Sequence, residues 1–236
     1  MICTPGLNCY SCPAAVMSCP IGAMQLFFAG VKHNISLFVT GFLVTTGVVF
    51  GRLICGYVCP MGLIQDLIYK ILTPKRIVMF KYLRYLKYIV LLLFVILLPM
   101  LILHELSGLG EPWFCKYICP SGTIFGALPL LTVNRFLFDF TGILLIVKLI
   151  IAAGILLVSL VIYRPFCRLL CPLGAFYALF NKIAFLKMRC NKDKCSSCGD
   201  CSKACQIMLD PANKPNSPEC IRCGDCKAAC KTKALK

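Results

Sequence analysis

A cysteine followed by proline, with glycine two residues beyond the proline, occurs four times in this chain and limits its folding options more than any other feature: Cys19-Pro20-Ile21-Gly22, Cys59-Pro60-Met61-Gly62, Cys119-Pro120-Ser121-Gly122 and Cys171-Pro172-Leu173-Gly174. The last three are preceded by a second cysteine four residues earlier, at Cys55, Cys115 and Cys167. Residues four apart lie on one helix face, so each pair is expected to aim two sulfurs the same way. Proline then stops the helix, because it lacks an amide donor and clashes with the preceding turn. The glycine lets backbone pass close to whatever the sulfurs hold. Each pair is half of a four-thiolate site, and two halves make one metal centre. Buried structural cysteine, the blander reading, does not account for paired repeats that each carry a proline.

Nineteen cysteines among 236 residues would suit a disulfide scaffold, but 59% of the chain is hydrophobic and much of it lies in long apolar runs. The expected fold is an all-α membrane protein with about three transmembrane helices in two pseudo-symmetric units, followed by a small α+β cysteine-rich domain. No cleavable signal pattern opens the sequence. The net charge of +16 is read as basic cytoplasmic loops facing membrane lipid, not as a nucleic-acid surface, since no nucleic-acid fold motif accompanies it.

Three domains are expected: a cysteine-rich outer-face segment over 1–33, a transmembrane domain over 34–189 and a cytoplasmic domain over 190–236. Spans are expected from about Ile35 to Ile54, from Tyr88 to His104 with a kink at Pro99, and from Phe136 to Tyr163. Lys148 interrupts the last. It is expected to snorkel outward from the start of the span, the other reading being a positive charge beside a metal centre. The spacing of Met61, Leu63, Ile64, Leu67, Ile68 and Ile71 predicts a helix lying on the membrane surface, and 176–185 predicts another. Arg52 to Gly62 aligns with Arg164 to Gly174, and a span precedes each, which predicts a pseudo-two-fold pair of units.

Alternating spans put the sites at 59 and 171 on one face and those at 19 and 119 on the other. The first face carries eleven Lys and Arg in 60–87 and 164–189; the second carries Lys32, Lys116 and Arg135. That bias places the C-terminal domain in the cytoplasm, in a multi-pass protein of the prokaryotic cytoplasmic membrane. Cys55, Cys59, Cys167 and Cys171 then supply the full set for one [4Fe–4S] cluster on the cytoplasmic side. The outer face offers Cys12, Cys19, Cys115 and Cys119 for a second, with Cys9 and Cys3 as competing ligands. His33 and His104 read as interfacial histidines near span ends.

Cys195-x2-Cys198-x2-Cys201-x3-Cys205 and Cys220-x2-Cys223-x2-Cys226-x3-Cys230 are two bacterial ferredoxin runs, in which the fourth cysteine of each ligates the other cluster. The expected sets are Cys195, Cys198, Cys201 and Cys230, and Cys220, Cys223, Cys226 and Cys205. Zinc also binds paired Cys-x2-Cys runs, but the repeated x3 fourth ligand favours iron–sulfur. Cys190 has no assigned partner. Lys227, Lys231 and Lys233 are candidate docking residues for an acidic redox carrier.

These motifs resemble the membrane-bound ferredoxin-type family, which includes the ferredoxin-type membrane subunit of periplasmic nitrate reduction. The likeness rests on Cys-x3-Cys-Pro at 55–60 and 167–172 and on the runs at 195–205 and 220–230, and it covers nearly the whole chain. Gln206 and Lys231 depart from it, standing where proline usually follows the fourth cysteine. Relatives commonly carry a further hydrophobic helix ahead of the opening Cys3–Pro13 pattern. The resemblance implies about four [4Fe–4S] clusters carrying electrons at or across the membrane. The donor would be a cytoplasmic ferredoxin, flavodoxin or other low-potential carrier, and the acceptor a flavin- or haem-bearing partner. No general acid, base or nucleophile constellation is visible, so a subunit of a membrane oxidoreductase complex is expected. The alternatives are a metalloreductase or thiol/disulfide reductant on the outer face and a membrane redox sensor.

Overall fold

The computed structural model describes residues 21–22, 24–25, 36–71, 81–102, 112–133 and 142–235. The described part is helical. α1 (Ser36–Phe50) ends where Gly51 turns left-handed, at φ +56°. A Cβ at Gly51 would press against Asn181 Oδ1 at 3.0 Å and the Ala184 side chain at 3.2 Å, so glycine is needed for space as well as conformation. α2 (Leu53–Tyr57) and α3 (Pro60–Ile71) follow, split by the first described Cys-Pro break.

α4 (Tyr82–Leu101) winds wide over Leu91–Leu97, just ahead of Pro99. A proline ring clashes with the carbonyl four residues back, here Val95, and the wide turns give it room. The kink expected at Pro99 is thus taken up as a change of helical pitch. α5 (Phe114–Ile118) leads to α6 (120–133), then α7 (Ile143–Ser159), α8 (Pro165–Leu169) and α9 (Pro172–Phe180). One apolar cluster joins them, with Leu43, Met61, Val90, Val95, Phe114, Phe166 and Tyr177 buried around Cys55, Cys115, Cys119 and Cys167, and Cys59 and Cys171 packed against it.

Two parts of the expected fold are corrected. Among the described residues one helix, α4, is long and apolar enough to cross a membrane, not three. α1 has 15 residues and α7 has 17. At ~1.5 Å per residue neither reaches the ~30 Å of a bilayer core. The sequence reading ran α1 on to Ile54, but Gly51 ends it earlier; it ran α7 on to Tyr163, but the helix closes at Ser159 and Arg164 takes a left-handed φ of +48°. The second correction is to the α+β domain. The described residues contain no strand, only an isolated bridge between Cys190 and Leu235 that ties the ends of the C-terminal unit together.

The C-terminal unit spends its length on turns. Left-handed residues recur at matching places in its two runs: Ser197 and Arg222, Gly199 and Gly224, Met208 and Lys233. Each run then makes one short helix, α10 (Asp200–Ala204) or α11 (Asp225–Ala228), and the two pack together. Turns this tight leave no length for a hydrogen-bonded ladder.

Candidate metal centre

The three described Cys-x3-Cys-Pro motifs share one backbone device. The second cysteine is not on the same helix as the first but sits at the break, and proline opens the next helix, where its missing amide costs nothing. Cys119 and Cys171 are extended, with ψ 108° and 112°, as a residue before proline must be. The amide of the second cysteine reaches back five residues, from Cys59 to Ile54 (3.2 Å), from Cys119 to Phe114 (3.0 Å) and from Cys171 to Phe166 (3.0 Å). That amide would otherwise have served the carbonyl of the first cysteine, and the following proline has none to offer. Each first-cysteine carbonyl is therefore left for a partner from elsewhere.

In every case the partner is a cation from another part of the chain. Arg164 Nη1 donates to the Cys55 carbonyl at 2.7 Å, and Arg52 Nη2 donates to the Cys167 carbonyl at 3.4 Å. The two arginines stand three residues before their own motifs, so each unit clamps the other reciprocally. Arg164 also holds the Gly56 carbonyl at 3.0 Å and the Asp66 carboxylate. Lys148 Nζ donates to the Cys115 carbonyl at 3.2 Å, so it turns inward and does not snorkel out. The motif glycines make room for the clamp. A Cβ at Gly62 would lie 3.3 Å from Arg164 Nη1, and one at Gly174 would lie 3.4 Å from Arg52 Nη2.

Cys55, Cys59, Cys167 and Cys171 come together as four interacting thiols. The Cys59 and Cys167 side chains interact directly, which lowers Cys59 and pushes Cys167 up. Burial pushes up Cys55 and Cys171, and for Cys171 the nearby Cys55, Cys59 and Cys119 add to it. Gln65 completes the surround, its Nε2 lying 3.7 Å from Cys167 Sγ and its Oε1 accepting from the Phe166 amide. Four acids crowded into an apolar core cannot all ionise alone, and a cationic iron–sulfur core is the kind of group that lets them. The donor set fits such a group.

Cys115 and Cys119 are buried in the same apolar cluster as these four, and Cys119 lies close enough to act on Cys171. Cys3, Cys9, Cys12, Cys19, His33 and His104 lie outside the described residues, as does most of the expected segment 1–33.

In the C-terminal unit the cysteines divide between two cavities. One, of about 430 Å³, is lined by Cys195, Cys198, Cys201 and Cys230, with Cys190 beside them; the other is lined by Cys205, Cys220, Cys223 and Cys226. The fourth cysteine of each run thus crosses to the partner run's cavity. Cys190, left without a partner by sequence, lines the same cavity as Cys195, and that neighbour helps push its thiol up. Burial pushes Cys223 up to about 12 and Cys226 to about 11. Among the described residues no three Cys, His, Asp or Glu converge closely enough to share a single metal ion. A cube holds its thiolates at separate corners, further apart than the ligands of one ion. Lys227, Lys231 and Lys233 are all exposed, and Lys231 lies 3.8 Å from Asp200.

Sequence reasoning aligned Arg52 with Arg164 but gave neither a role, and it passed over Gln65 and Gly56. The matching offset of the two arginines from their cysteines was the available signal.

A 4Fe-4S binding domain model matches residues 33–78, 90–135 and 144–191, more than half of the chain, with one Cys-x3-Cys-Pro motif in each segment. The repeat is thus threefold, where the aligned halves suggested two. An uncharacterized protein of Methanocaldococcus jannaschii is 31% identical over 71% of this chain and 63% of its own length. The methylamine utilization ferredoxin-type proteins MauN of Methylobacillus flagellatus and Methylorubrum extorquens are each 28% identical, over 79% and 80% of this chain and 60% of their own length. The chain spans about three fifths of the length of these curated relatives. No solved structure matches.

Proposed function

The chain belongs to the 4Fe-4S binding domain family, and on that premise we propose that it is an electron-transfer protein that works at a membrane as part of an oxidoreductase complex. The observation that carries this reading is the meeting of Cys55, Cys59, Cys167 and Cys171 inside the apolar core, with two buried arginines on the backbone that presents them. Four [4Fe–4S] clusters would supply one-electron chemistry. Two would be held by the C-terminal sets, Cys195/Cys198/Cys201/Cys230 and Cys205/Cys220/Cys223/Cys226, and a third by Cys55/Cys59/Cys167/Cys171. The fourth would be held by Cys115 and Cys119 with two cysteines of the N-terminal segment, Cys12 and Cys19 in preference to Cys9 and Cys3.

The chain's own residues position these groups and keep water from them. The apolar helix α4, whose Leu92, Leu93, Leu97 and Leu101 face outward, supports association with a membrane, and the basic C-terminal unit would lie on the cytoplasmic side. Electrons would enter there from a ferredoxin, flavodoxin or other low-potential carrier and leave to a flavin- or haem-bearing partner. Iron and acid-labile sulfide analysis of purified protein tests the reading. About sixteen irons per chain are expected for four cubes, and about eight would leave only the C-terminal pair.

A further inference from the structure

The C-terminal unit meets the helical part on a surface made from the polypeptide around two of the candidate centres. Glu219, next to Cys220, lies between Lys87 Nζ at 2.5 Å and Arg52 Nη1 at 3.4 Å, and both cations are fully buried. Arg52 also donates to the Pro218 carbonyl at 2.9 Å, so one guanidinium joins the Cys167 carbonyl to the C-terminal unit. Arg222 reaches back to the carbonyls of Phe50 at 3.0 Å and Asn181 at 2.9 Å. Asn181 Nδ2 donates to those of Ser217 at 2.6 Å and Cys220 at 3.0 Å. The connecting segment is tied down as well: the Phe185 and Leu186 amides bond the Val48 and Val49 carbonyls at 2.9 and 3.3 Å, and Asn216 brackets the Met188 backbone.

The closest approach falls on the Cys55–Cys59 loop. A Cβ at Gly56 would lie 2.7 Å from the Ile221 carbonyl oxygen, and one residue on the Tyr57 hydroxyl donates to the Cys223 carbonyl at 2.8 Å. A unit that shuttled on a tether would leave such a face wet and weakly bonded. Here a carboxylate is sealed between two cations, and parting the units would strand charge in an apolar setting.

We infer that the C-terminal unit is locked onto the helical part through Glu219, and that electrons pass from the Cys205/Cys220/Cys223/Cys226 centre to the Cys55/Cys59/Cys167/Cys171 centre by way of the Cys223 carbonyl–Tyr57 hydroxyl contact. This rests on the proposed electron-transfer function. With clusters bound, a hand-over would move one electron, supplied by a low-potential ferredoxin-class donor, from the Cys205/Cys220/Cys223/Cys226 set to the Cys55/Cys59/Cys167/Cys171 set, with no bond made or broken and no proton moved. Tyr57 and Glu219 are positioning residues that fix the spacing of the two centres and are themselves not oxidised.

The test uses the full chain with iron bound, in lipid nanodiscs. Tyr57→Phe should leave iron content and both reduction potentials as they are and slow transfer between the two centres several-fold after photoreduction. Glu219→Gln should raise amide hydrogen exchange across 217–223 and 185–188 and weaken the magnetic coupling between the reduced centres. Tyr57→Phe removes a single hydroxyl and keeps the ion pairs, so it reads out even where Glu219→Gln does not accumulate. Unchanged transfer in Tyr57→Phe, or unchanged exchange in Glu219→Gln, with iron in place, overturns the locked hand-over and leaves the electron-transfer reading standing. A chain whose cysteines bind no iron overturns both.

Discussion

Arg52 and Arg164 each act on a repeat they do not belong to, and Lys148 does the same for the middle motif. All three answer one local defect: a Cys-x3-Cys-Pro turn spends the amide that the first cysteine's carbonyl needs, and proline cannot replace it. A charge-assisted hydrogen bond meets the need and leaves a positive charge beside the sulfurs. Reduction adds negative charge, so in a low-dielectric core such a cation favours the reduced state. Lys148→Met is therefore expected to keep the iron content and to lower the reduction potential of the centre proposed at Cys115 and Cys119, read by potentiometric titration. Hydropathy registers the cost of a lysine in an apolar run, which is why Lys148 reads as a snorkelling side chain. It cannot register a carbonyl that another segment has left open.

The three motifs keep the same backbone although their flanking helices differ. Their cysteine, proline and glycine spacing reads as halves of four-thiolate sites, but does not tell how the backbone of each half is built. Sulfurs four apart suggested one helix face, whereas the second cysteine sits at a helix break. The motif glycine was read as room for a bound group, yet at Gly62 and Gly174 the space is taken by the opposing arginine and by the Cys55 and Cys167 carbonyls. Gly62→Ala should press on the Arg164 guanidinium and the Cys55 carbonyl, and Gly174→Ala on the Cys167 carbonyl, each costing about 1–3 kcal/mol of stability, as overpacked cores do. Differential scanning of iron-loaded protein would register this as a lower Tm, and release of iron should begin earlier in the same variants. Spanning helices were harder to read. Hydropathy carries α1 past Gly51 and α7 past Ser159, and backbone geometry ends both sooner.

At the scale of the whole molecule, basic charge serves two different purposes, and composition cannot separate them. Arg52, Lys87, Arg164 and Arg222 are buried and spent on internal carboxylates and carbonyls, whereas Lys227, Lys231 and Lys233 are exposed to solvent at the far end of the second cysteine run. Only the second group is available to steer an incoming protein. Exposed charges act over about a Debye length, ~10 Å at 0.1 M salt, and speed encounter more than they strengthen binding. Replacing the three lysines together by glutamate should therefore slow reduction by an acidic ferredoxin or flavodoxin at low ionic strength, and the deficit should close as salt is raised. Fold and iron content should hold, because Lys231 makes only a long, exposed contact with Asp200, worth little to stability. Stopped-flow reduction across a salt series distinguishes this from damage to the centre, which would slow the reaction equally at every ionic strength. A rate indifferent to the reversal at low salt would move the donor's landing site away from these lysines and onto another face of the C-terminal unit.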